Sequence, residues 1–141
     1  MSPEVRAMAA GDLARVRALG VQLGYVLGEA ELAARFDRIR STHGLYVAVA
    51  GGDVMGWIDV HEREMLQSKP FAELGALVVD AAARRSGIGR TLVDQAIAWT
   101  RARGLPRLRL RSNINRDAAH RFYPALGFTL SKTSHLYELD V

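Results

Sequence analysis

A chain of 141 residues, about half of them apolar, has room for one domain with a buried core and none for two ordinary domains. It has no cysteine, which excludes disulfides, thiolate catalysis and cysteine zinc sites. No apolar run approaches the roughly 20 residues that cross a bilayer, and the first residues lack the charged and apolar regions of a secretory signal. A cytoplasmic protein with no membrane partner is therefore expected. The formal charge of +4 is carried almost entirely by arginine, with lysine only at Lys69 and Lys132; it fits either ordinary solubility or an anionic partner.

Taken in chain order, Val5 to Met8 reads as a first strand. Asp12 is a plausible N-cap, and Leu13, Val16, Leu19 and Leu23 follow it at helical spacing. Gly24 and Gly28 interrupt the pattern around Tyr25, and a second helix fits Glu29 to Ile39. Leu45 to Ala50 and Val54 to Val60 form a hairpin about the turn Gly51-Gly52-Asp53. His61 to Ala72 is polar, contains Pro70 and reads as a loop. Glu73 to Val79 is a nearly continuous apolar strand, as suits a central strand covered on both faces.

After the short basic connection from Asp80 to Ser86, the stripe Ile88, Leu92, Ala96 and Trp99 marks a helix from Gly87 to Arg103, closed by Gly104 and Pro106. Arg107 to Arg111 alternates arginine and leucine and reads as a strand. Arg116 to Leu126 reads as a short helix ended by Gly127, and Phe128 to Val141 as two final strands around Ser131 to Ser134. Strand, basic glycine turn, helix and strand make a βαβ unit, whose crossover is long enough for parallel pairing. Together with the hairpin this predicts one α/β domain over residues 1–141, with a mixed sheet and helices on both faces.

The sharpest motif is the turn Arg84, Arg85, Ser86, Gly87, Ile88, Gly89, Arg90, set between a buried strand and an amphipathic helix. A helix N-terminus presents unpaired N–H groups and partial positive charge, which favours phosphate. Gly87 and Gly89 let the backbone approach an anion, the arginines add charge, and Thr91 offers a hydroxyl. The dinucleotide fingerprint and the P-loop are both absent.

At these residues the sequence resembles the GNAT superfamily of acetyltransferases, whose cofactor motif is Arg or Gln, two intervening residues, and then Gly-x-Gly or Gly-x-Ala. Arg84, Gly87 and Gly89 match in register. Downstream, Asn115, Ala118 or Ala119, Tyr123 and the run Leu126-Gly127-Phe128 match a second family motif. The resemblance implies a mostly antiparallel sheet with a splayed parallel strand pair that takes acetyl-CoA as co-substrate, with no metal. Leu77, Val78 and Val79 would pair with the pantetheine amides, and Arg84 to Thr91 would bind the pyrophosphate. Asn115 would hydrogen-bond the cofactor arm, and Phe122 would line the gap. Dimers are common in the family, so a homodimer is an expectation too.

Acetyl transfer to an amine needs a base for the ammonium proton and gains from an acid beside the departing thiolate. Without cysteine, direct attack in a ternary complex is the expected route. Tyr123 sits where the family places its acid. Glu73 matches a base found in some members, and His61 is the rival base. The acceptor wall that the family builds nominates Tyr25, Leu27, Trp57 and His61, for a small-molecule amine.

Two other functional classes remain open from sequence: a non-catalytic CoA-binding module, and acetylation of a protein amine. Nucleic-acid binding through Arg107, Arg109 and Arg111 lacks interleaved aromatics and a basic recognition helix, so no nucleic-acid partner is expected. His43, His61, His120 and His135 lie far apart and lack paired metal-ligand spacing.

Overall fold

The computed structural model describes residues 3–112 and 114–141. The chain falls into two compact units, one ending at Leu110 and the other running from Arg111 to Val141. In the first, strands β1 (Glu4–Ala7), β2 (Gly44–Ala50), β3 (Asp53–Met65), β4 (Ser68–Val79) and β5 (Leu108–Leu110) form a single sheet in that order. The first four are antiparallel, and β4 and β5 are parallel. Helices α1 (Leu13–Gln22), α2 (Glu29–Ile39) and α3 (Ile88–Ala102) complete this unit. None of the helices among the described residues is long and apolar enough to cross a membrane.

Adjacent residues of β3 show how the sheet is covered, because successive side chains of a strand point to opposite faces. Trp57 packs against a core of Met8, Val16, Leu19, Phe36, Val47 and Val78, fed by α1 and α2. Its neighbour Gly56 faces α3: a Cβ built there would lie 2.9 Å from the Val78 carbonyl oxygen, 3.0 Å from Ile88 and 3.1 Å from Leu92. The expected mixed sheet with helices on both faces is therefore what forms. Gly56 sets how closely the first turns of α3 approach the sheet. Gly56→Ala should lower stability by about 1–3 kcal/mol, since one neighbour is backbone and cannot rotate away; chemical denaturation checks this, and an unchanged midpoint would mean α3 shifts freely.

Two expectations are corrected. The segment His61 to Ala72 is not a loop, because β3 continues to Met65 and β4 begins at Ser68, with a tight turn at Leu66 and Gln67. Pro70 is accommodated because the ladder is irregular there: Arg63 pairs with Phe71 and Met65 with Ser68, so two residues of β4 oppose Glu64. In the second unit, Phe128 to Val141 forms no strand. Residues 129–141 are all exposed, and a strand without a paired ladder and a buried face is not stable by propensity alone.

The second unit contains α4 (Asp117–Ala125). Gly127, at φ 96°, closes it. The Gly127 N–H donates to the Pro124 carbonyl at 3.0 Å, and the Phe128 N–H to the Tyr123 carbonyl at 3.1 Å. These are the two bonds of a Schellman cap, which needs a left-handed residue after the helix and usually adds an apolar contact across the cap. Here that contact is Phe128 against Tyr123, edge to face at 5.7 Å. The Leu-Gly-Phe run thus has a local physical purpose, which is to end α4 and fix the Tyr123 ring.

Candidate active site

Three features of the first unit converge on the end of β4. The parallel ladder with β5 covers only Ala72, Glu73 and Leu74. β5 ends at Leu110 while β4 runs on to Val79, so Gly75 to Val79 has no β5 partner along that edge. An extended polyamide can add to such an edge through main-chain hydrogen bonds. Val78 is buried in the α1–α2 core, whereas Leu77 and Val79 are half-buried.

Immediately after β4, Ala81–Ala83 makes a single 3-10 turn, and the chain then enters the basic turn. Gly87 caps α3 in the left-handed region at φ 86°, and no other group lies within 4 Å of where its Cβ would be. Arg85 is also left-handed, at φ 66°, a conformation costly for a residue with a Cβ and typical of functional turns. Arg84 to Gly87 are exposed, while Ile88 is buried over Gly56 and anchors the first turn of α3. The hydroxyl protons of the turn are used internally. Thr91 donates to the Gly87 carbonyl at 2.8 Å and Ser86 to that of Ala83. What remains for an anion is the set of first-turn N–H groups, which no helix can satisfy internally, with the arginines around them.

The device that holds this turn escaped sequence reasoning. Asp80 directly follows β4, and its N–H donates to the Met55 carbonyl at 2.8 Å. Its carboxylate accepts from the Ala82 N–H at 3.0 Å, from Arg15 Nη2 at 2.6 Å and from Gln22 Nε2 at 3.4 Å. Gln22 Oε1 accepts from the Ala81 N–H at 2.9 Å. Helix α1 is thereby tied to the connection between β4 and α3. The local signal, an aspartate two residues before an unpaired N–H, was present at Asp80; its partners lie 58 and 65 residues away.

The Ala82 N–H above all holds the Asp80 carboxyl below the usual carboxylate range; burial opposes it, and Arg15 and Gln22 add to the lowering. A carboxyl whose folded pKa is depressed contributes stability above its unfolded pKa, and that contribution is lost as pH falls through the folded value. Wild-type stability should therefore drop as pH falls below the ordinary aspartate value of 3.8. Asp80→Asn should start lower at neutral pH and show a shallower acid slope, read from thermal melts over a pH series. Equal slopes would remove Asp80 from the account.

Of the residues expected to meet the acceptor, His61 and Glu73 are brought together. They are directly paired across β3 and β4, with His61 Nε2 4.0 Å from Glu73 Oε1. Arg63 holds the Glu73 carboxylate at 3.3 Å. Burial pushes the His61 imidazole below its ordinary pKa, against the pull of Asp59 and Glu73, which favours the neutral ring. Trp57 lies on the same face of β3 but packs into the α1–α2 core. Leu27 and Tyr25 lie against Gly20 of α1, with Tyr25 43% exposed. Asn115, Phe122 and Tyr123 belong to the second unit; Phe122 meets the Tyr123 ring edge to face at 5.0 Å. On the basic strand, the Arg109 guanidinium lies over the Phe71 ring at 4.1 Å. The far-apart histidines are not all isolated: His43 and His61 stack at 4.7 Å.

This architecture meets its relatives at every level compared. The pattern of the acetyltransferase (GNAT) family matches residues 17–128, and the chain belongs to that family. It is 34% identical over 88 residues to the mycothiol acetyltransferase of Thermobispora bispora, a match covering 61% of this chain and 30% of that protein. It is 35% identical over 85 residues to the uncharacterized N-acetyltransferase YhdJ of Bacillus subtilis, covering 60% and 54%. The chain thus spans about a third to a half of the length of these relatives. Among solved structures, AAC(6')-Iy in complex with the bisubstrate analog CoA-S-monomethyl-acetylneamine superposes with a TM-score of 0.89 over the full length of both chains at 20% identity. The aminoglycoside 6'-N-acetyltransferase of Acinetobacter baumannii superposes with a TM-score of 0.85 over 99% of both at 18%. At these identities the likeness is one of fold.

Proposed function

We propose that this chain transfers an acetyl group from acetyl-CoA to a primary amine of a small molecule, by direct attack within a ternary complex and as one domain. The observation that carries this is the open edge of β4 from Gly75 to Val79, running straight into the Arg84–Thr91 turn and its left-handed Gly87. One stretch of chain offers main-chain partners for the pantetheine amides and, a few residues on, N–H groups and arginines for the pyrophosphate. Asn115 and Phe122 would complete the cofactor site.

The amine proton would pass to Glu73 or to His61 beside it, and Tyr123 would protonate the departing thiolate. Tyr25, Leu27, Trp57 and His61 would face the acceptor. Holding acetyl-CoA and amine together supplies much of the rate. The relative named for mycothiol supports a small acceptor over a protein amine. Release of CoA across a panel of amines, with products identified by mass spectrometry, tests this. An acetylated amine formed only with enzyme is expected. Acetyl-CoA binding with no acetylated product from any amine would leave a CoA-binding module instead.

A further inference from the structure

We infer that His43, Asp59 and His61 form a binding site for a divalent transition metal of the zinc class at the end of the α1–α2 face of the sheet. Two imidazoles and a carboxylate are the donor set such ions take, with a fourth position left open. One donor atom from each of the three residues lies within 4.8 Å of the others. His43 Nδ1 donates to Asp59 Oδ1 at 2.7 Å, and His61 Nδ1 stands 3.9 Å from the same oxygen. A tetrahedral ion with bonds of about 2.0 Å needs donors about 3.3 Å apart. Small rotations of the two near-parallel rings close that difference, with the His43 proton passing to Nε2.

Four observations separate this cluster from an ordinary histidine–aspartate contact. The His61 Nδ1 atom is buried and has no hydrogen-bond partner. Among the described residues, Asp59 pairs with no lysine or arginine, so its charge is left for a cation. The sheet also leaves room. Asp59 pairs with Ala76 and Val60 with Leu74, so Gly75 is an extra residue of β4 facing the cluster. A Cβ there would lie 3.5 Å from both His61 Nδ1 and Asp59 Oδ2. Finally, His61 Nε2 faces Glu73 at 4.0 Å, and Arg63 pins that carboxylate. A carboxylate behind the far nitrogen of an imidazole is the usual support of a metal-ligating histidine.

Titration of the untagged full chain with Co2+ in the absence of any CoA, followed by its visible absorption and then by displacement with Zn2+, tests the site independently of acetyl transfer. A single saturable equivalent is expected. Asp59→Asn and His61→Gln should each weaken it by about tenfold or more, Gly75→Val should do so with all three ligands intact, and His135→Gln should leave it unchanged. Circular dichroism checks that each variant folds. Absence of saturable binding by the wild type at millimolar metal, or binding indifferent to Asp59→Asn, His61→Gln and Gly75→Val together, would overturn the site.

Discussion

Tyr123→Phe is expected to lower kcat by about a hundredfold or more, the usual size of a lost general acid, while leaving KM for acetyl-CoA close to wild type. The ring contacts survive this substitution. The Tyr123 ring is held by Phe122 at 5.0 Å and Phe128 at 5.7 Å, both edge to face. Phenylalanine keeps both contacts, and the Schellman cap at Gly127 depends on backbone rather than on the hydroxyl. The phenolic hydroxyl, and with it the acidic proton, is removed. Stopped or steady-state CoA release at saturating amine measures the effect. A kcat within about twofold of wild type would make Tyr123 a packing residue and move the acid elsewhere.

Gly87→Gln is expected to raise the Kd for acetyl-CoA by about tenfold or more, the scale of losing one or two charge-assisted contacts. Two effects add. The left-handed φ of 86° is cheap for glycine and costs a residue with a Cβ about 1–3 kcal/mol. No other group lies within 4 Å of the Cβ position, so the new side chain enters open space beside the first-turn N–H groups, where an anion would sit. Crowding of the protein itself contributes nothing. A variant that melts slightly lower yet binds acetyl-CoA as the wild type does would show that the pyrophosphate does not use this turn.

What could be read in the sequence was local. Helix α2 was predicted at Glu29 to Ile39 and is found there, because Gly28 and the spacing of Leu32, Phe36 and Ile39 are all short-range signals. Gly87 and Gly127 were legible for the same reason. The extension of β3 and β4 was not, since His61, Glu62, Arg63 and Glu64 are polar on both faces and show no apolar alternation. That end of the hairpin is held by pairing across Met65 and Ser68, not by composition. The apolar residues from Phe128 onward gave the opposite error, a strand pattern whose partner the sequence cannot supply. The Asp80 anchor and the His43–Asp59–His61 cluster were hidden because their members are brought together only by the sheet, across 16 to 65 residues of chain.

The most direct test of the central claim is a calorimetric titration of the wild-type chain with acetyl-CoA. Saturable binding of one acetyl-CoA per chain in the micromolar range is predicted, with the β4 edge and the Arg84–Thr91 turn as its receptor. No heat of binding at millimolar acetyl-CoA would contradict it, and would mean that the open edge of β4 and the left-handed Gly87 do not serve this cofactor.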